Sequence, residues 1–139
     1  MRIEFREQFT LPVERIFSFF RTPADWVRLY GMFGEVETRG DGWYAVPLQG
    51  FPFPLVARVT DSAENRLVHW TFRGFWRGEG EVRFEPTPDG TRVDGFEEIS
   101  VRWLFFLSPV IERILLDRRF RGIWRHGWKR LHGLEQQPA

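Results

Sequence analysis

The sequence predicts an α+β fold in which an antiparallel sheet grips one long C-terminal helix. Two observations carry this reading. From Ser108 to Glu135 apolar residues recur at three- and four-residue steps, and the chain before them is mostly short alternating segments divided by turn residues. A helix of that length cannot bury its apolar face alone, so the strands must supply the surface it lies on. At 139 residues the chain fits a single domain, 1–139, large enough for a core without disulfide or metal staples.

In chain order, Arg2 to Thr10 alternates, with Ile3, Phe5, Glu7 and Phe9 on the inner side, which is the pattern of a half-buried strand. Pro12 opens a short helix carrying Val13, Ile16, Phe17 and Phe20. Thr22-Pro23 ends it and starts a second, Ala24 to Tyr30, with Trp26, Val27 and Tyr30 inward. A strand over Glu35 to Thr38 meets another over Trp43 to Leu48 through Arg39-Gly40-Asp41-Gly42, whose chemistry is that of a hairpin turn rather than an adhesion signal. Gly50-Phe51-Pro52-Phe53-Pro54 forms a stiff apolar loop, either folded onto the core or serving, through Phe51 and Phe53, as a gate at a pocket mouth.

Strands then follow at Leu55 to Asp61, Leu67 to Arg73, Trp76 to Glu85 and Thr91 to Val101. The third alternates most cleanly: Arg77, Glu79, Glu81, Arg83 and Glu85 oppose Trp76, Gly78, Gly80, Val82 and Phe84. Two glycines mid-strand on the inner face mark close approach or empty space. The terminal helix starts at the Ser108 N-cap and Pro109 and runs to about Leu134, a rod of roughly 39 Å at 1.5 Å per residue. Leu116, Phe120, Ile123, Trp124, Gly127, Trp128, Leu131 and Leu134 share one face. That stripe is either core alone or, given Gly122 and Gly127 in or beside it, one wall of a space.

Composition narrows the function classes. A net charge of +1 is too small for the field of a nucleic-acid binder, so no nucleic-acid partner is expected. The absence of cysteine removes disulfides, thiolate ligands and a cysteine nucleophile, and fits a cytoplasmic location. The N-terminus lacks the basic-then-apolar layout of a secretion signal, and no apolar run approaches a membrane span. Aromatic residues at 17% exceed ordinary usage, which points to a large apolar interior or a ring-lined cavity. His69, His126 and His132 lack metal-ligand spacing, Gly78-Glu79-Gly80 lacks the helix or Lys of a phosphate loop, and no Ser sits in a nucleophile elbow. No cofactor and no metal are expected.

The order strand, two short helices, six strands and a long helix resembles the helix-grip fold of the START-like, Bet v 1-like and polyketide cyclase/dehydrase (SRPBCC) superfamily. The resemblance covers nearly the whole chain. Its carriers are Leu11-Pro12-Val13-Glu14-Arg15-Ile16-Phe17, Pro23-Ala24-Asp25-Trp26, Val56-Ala57-Arg58-Val59-Thr60-Asp61 and Asp89-Gly90-Thr91-Arg92-Val93. It implies a curved seven-stranded antiparallel sheet (β-α-α-β6-α) wrapped around the helix. These are packing and turn patterns, specific for fold and nearly silent on chemistry, since similar domains bind lipids, sterols, quinones or polyketides and a few are enzymes.

An inward set of rings and glycines in such a wedge predicts a hydrophobic cavity walled by Phe5, Phe9, Val68, Trp70, Phe72, Trp76, Gly78, Gly80, Val82, Phe84, Ile99, Phe120, Trp124, Gly127 and Trp128. Glu97 and Glu7 fall on the apolar faces of the last and first strands. In the resembled fold those strands are neighbours, so both carboxylates would enter one cavity, where burial and mutual repulsion raise a pKa. The alternatives are a bulge that turns Glu97 outward or an Arg partner from the helix. Three functions compete: binding or transport of a lipid-like molecule, a cyclase- or aromatase-like enzyme using Glu7 and Glu97, and an interaction protein. Apolar surface at Trp103 to Leu107 and Ile111 to Leu115 is expected to mark a homodimer or a peripheral membrane contact.

Overall fold

The computed structural model describes residues 1–30, 35–48, 53–101 and 109–136, the side chains of 30, 101 and 109–116 excepted. Strand β1 (Arg2–Phe9) leads into helices α1 (Val13–Phe17) and α2 (Pro23–Tyr30). Strands β2 (Glu37–Gly40), β3 (Trp43–Val46), β4 (Leu55–Ala63), β5 (Leu67–Arg73), β6 (Trp76–Thr87) and β7 (Gly90–Val101) follow, then helix α3 (Pro109–Leu134). The strands form one antiparallel sheet in the order β1-β7-β6-β5-β4-β3-β2. This is the α+β helix-grip architecture, with β1 returning beside the last strand and α3 lying across the inner face.

Local chemistry sets the elements. The β2–β3 turn places Gly40, Asp41 and Gly42 at φ of 81°, 53° and 81°, a left-handed run that glycine and aspartate tolerate. Thr22 caps α2: its N–H and hydroxyl both donate to Asp25 Oδ2, at 3.1 and 3.0 Å, while Asp25 N–H returns to the Thr22 carbonyl at 2.9 Å. The buried Thr91 hydroxyl donates to the Leu11 carbonyl at 2.8 Å and ties β7 to the entry of α1.

The core is a web of rings between sheet and helix. Phe5 lies 4.4 Å from Trp124 and 5.1 Å from Trp128, and Phe20 bridges Phe84 at 5.5 Å to Trp128 at 6.1 Å. On α3, Phe120, Trp124, Gly127, Trp128 and Leu131 are buried, with Ile123 and Leu134 partly so, as the helical periodicity requires. Trp103 to Leu107, Phe51 and the side chains of Ile111 to Leu116 lie outside the described residues. Among the described residues no helix is long and apolar enough to cross a membrane.

Candidate functional site

Glu97 is the most consequential residue on the inner face. It occupies an inward position of β7, paired with Ile3 of β1 on one side and Gly80 of β6 on the other. It is 5% exposed, and Trp124 Nε1–H from α3 donates to its Oε1 at 3.2 Å. Because Gly80 has no side chain, the Trp70 indole from β5 lies over it; a Cβ there would meet the ring at 2.4 Å. The Trp70 N–H faces Glu97 closely enough to favour its anion slightly, though the geometry falls short of a hydrogen bond. Burial outweighs both indoles and pushes the Glu97 carboxyl up to about 7.

Glu97 reaches a small space where α2, β3, β4 and α3 meet. The space has a volume of about 20 Å³, room for roughly one water-sized group. It is lined by Trp26, Val27, Val46, Pro47, Leu48, Leu55, Glu97, Phe120, Ile123 and Trp124. Trp26 is 2% exposed, set edge-on to Trp70 with ring centroids 5.0 Å apart, and its buried indole N–H has no acceptor among the described residues. Val27, Pro47 and Ile123 are the partly buried members of this lining. Among the described residues no Lys, Arg or His lines it.

Several site expectations need correction. Glu7 does not join Glu97: Glu7 pairs with Val93 and Glu97 with Ile3, four positions apart along the ladder, or about 13 Å at strand rise. The raised pKa of Glu97 therefore comes from burial, not from a second carboxylate. Nor does Glu97 turn outward, and among the described residues it has no Arg partner. Glu7 instead faces His132 Nε2 at 3.1 Å, and the other ring nitrogen of His132 bonds Glu135. Glu135 also accepts from the Thr10 N–H at 2.5 Å and the Thr10 hydroxyl at 2.8 Å, and the His132 ring stacks on Phe9 at 4.4 Å. Burial disfavours the charged imidazole, but the two carboxylates outweigh it and raise the His132 pKa. This cluster clips the end of α3 to β1.

Of the fifteen expected ligand-binding residues, only Phe120 and Trp124 line the space by Glu97. Phe9, Val68, Trp70, Phe72, Trp76, Val82, Phe84, Ile99 and Trp128 are packed into the core, Phe5 is partly buried against Trp124 and Trp128, and Gly127 is buried on α3. Neither Gly78 nor Gly80 lines the space by Glu97. A Cβ on Gly78 would fall 1.9 Å from the Glu98 carbonyl oxygen, and the room beside Gly80 belongs to Trp70. Phe53 stacks on Phe75 at 4.3 Å, is 47% exposed, and is not among the residues that line the space. The sequence reading placed Trp26 and Val27 on the inner side of their helix and missed their role here. It also missed Val46, Pro47, Leu48, Leu55 and Ile123 as lining residues, because only the long-range docking of α2 over β3 and β4 brings them to Glu97. Among the described residues no group of His, Asp and Glu is arranged to hold a metal.

No protein-family model matches the chain, and no curated protein matches it. Solved structures do. The chain is similar to protein MLL2253 from Mesorhizobium loti, at 14% identity over all of both chains with a TM-score of 0.68. It is likewise similar to the Aha1 dimer of Colwellia psychrerythraea, at 14% identity, 100% and 99% coverage and a TM-score of 0.67. Protein BH1534 of Bacillus halodurans is 15% identical over 98% and 97% of the two chains, with a TM-score of 0.67. Likeness at such identities defines a shared fold, the helix-grip class, and no activity.

Proposed function

We propose that this chain binds a small hydrophobic molecule between α2, the β3–β4 edge of the sheet and α3. The observation that carries the reading is the mostly apolar, partly closed space at Glu97, where one buried carboxyl group sits among aliphatic and aromatic side chains. A few polar groups in an apolar lining is the usual composition of a ligand site. The present volume takes one water-sized group, so a larger ligand enters by displacing the partly buried Val27, Pro47 and Ile123. A solvatochromic dye is expected to bind once per chain with a blue shift, and the mouth-blocking change Val27→Trp is expected to abolish it while melting stays cooperative. Dye binding that survives Val27→Trp refutes the placement.

A second reading is favoured by Glu97 itself. A carboxyl group with a pKa of about 7 is poised to give or take a proton at neutral pH, so an enzyme using Glu97 alone as its acid–base group fits the same space. Association is also part of the proposal: the Colwellia relative is a dimer in solution, and a homodimer or a membrane contact of this chain is read out by sedimentation and liposome flotation.

A further inference from the structure

Two polar groups, one on Trp26 and one on Glu97, interrupt the otherwise apolar lining of the space beside Glu97. Trp26 brings a buried N–H with no acceptor among the described residues, and Glu97 brings a carboxyl group of which one oxygen takes the Trp124 N–H at 3.2 Å. A buried donor without an acceptor costs free energy that a ligand oxygen recovers. The carboxyl group has two oxygens and capacity beyond one bond: ionised it accepts from a hydroxyl, and protonated it donates to a carbonyl.

Charge excludes the other polar ends. Where Glu97 is ionised, a carboxylate or phosphate would meet its charge with no Lys, Arg or His among the described lining residues to neutralise it. An ammonium group would find the Glu97 anion and three aromatic rings, but it would leave the Trp26 donor unmet, since it has no lone pair to offer. A neutral oxygen answers both groups at once, and the volume of about 20 Å³ suits one such oxygen.

Building on the reading of the chain as a hydrophobic-ligand binder, we propose that its ligand class is a neutral, single-headed apolar molecule, an alcohol or a ketone. Its one oxygen accepts from the Trp26 indole N–H and bonds Glu97, while its hydrocarbon body displaces the aliphatic lining. Fatty-acid anions and cationic amphiphiles are poor ligands for the same site.

The test titrates the intact chain, by tryptophan fluorescence below micellar concentrations, with decanol, methyl octyl ketone, decyl chloride and decanoate. Decyl chloride matches decanol in bulk and exceeds it in hydrophobicity but is a weak acceptor, so a featureless apolar pocket binds it more tightly. The expected result is decanol and the ketone binding once per chain, each about tenfold or more tighter than decyl chloride, with decanoate weakest at slightly alkaline pH. Trp26→Phe, which keeps the ring and deletes the N–H, is expected to erase that preference and leave decyl chloride unchanged. If decyl chloride binds as well as decanol, or decanoate better, the oxygen-recognition proposal is overturned and the binder reading stands. If none of the four binds, both fall. Should Trp26→Phe fail to fold, the preference series on the unaltered chain decides the matter by itself.

Discussion

Replacing Glu97 by Gln tests the energetics of the site without any ligand. Burial holds the Glu97 carboxyl near a pKa of about 7, against an ordinary value of 4.5. The folded state therefore keeps a proton that the unfolded chain releases. The stability this provides is complete below about pH 4.5 and is lost as pH rises through about 7. A tenfold difference in proton affinity between the folded and unfolded chains corresponds to about 1.4 kcal/mol, so the loss across that window is about 3 kcal/mol, a large share of the stability of a small domain. Gln is neutral throughout and nearly isosteric. Near pH 5 the two proteins are expected to unfold at similar urea concentrations, whereas near pH 8 the Glu97→Gln chain is the more stable by up to about 3 kcal/mol. Urea midpoints at half-unit pH intervals give the comparison. Equal pH slopes in the two proteins, or a wild-type chain that gains stability over the Gln variant as pH rises, would refute the buried-acid account. Glu81 and Glu135 do not mimic the effect, since their pKa values are lowered overall and their contributions are lost on the acid side.

Three further outcomes are expected. Gly80→Val is expected to cost about 3 kcal/mol, because its Cβ meets the Trp70 indole at 2.4 Å and that ring is held against Trp26 and Trp124; an unchanged urea midpoint would show that the ring yields. Gly122→Ala is expected to stabilise by about 0.5–1 kcal/mol, since a Cβ there meets nothing within 4 Å and helical glycine costs backbone entropy; a fall in melting temperature would contradict it. His132 is expected to titrate above the ordinary His range by NMR, so its stabilising charge is present at low pH and is lost as pH rises through the raised value. In Glu7→Gln that titration is expected to move down, and no movement would separate His132 from Glu7.

Most of the fold was legible because it rests on local signals. The alternation from Arg2, the glycine-rich turn at Arg39 to Gly42 and the Ser-Pro start of the last helix each specify an element without reference to the rest of the chain. The strands nonetheless run past their apparent ends: β4 continues from Asp61 to Ala63 and β6 from Glu85 to Thr87. Polar residues there looked like turn, but each is carried by a paired neighbour, Ser62 against Val68 and Pro86 against Thr91. Conversely the Trp43 strand stops at Val46 rather than Leu48, where Pro47 has no N–H to continue the ladder.

The site was less legible, and Gly80 shows why. A glycine on the inner face of a strand reports that its own side-chain volume is used by something else, and a single sequence cannot say whether that is a ligand or a ring from across the ladder. Here the partner is Trp70, directly opposite Gly80 in the β5–β6 register. The residue facing Gly80 from the other strand is Glu97. One missing side chain thus sets a tryptophan and a carboxyl group side by side under the α3 indole of Trp124, and closes the centre of the wedge that the rings alone suggested would stay open. The space is pushed to the edge, where α2 brings Trp26 over β3 and β4. Glu97 could be singled out from alternation because an acid on an apolar face breaks a local rule. Trp26 obeys every local rule of an amphipathic helix, and only its unmet N–H, on a ring that lines the same space as that acid, gives it a role.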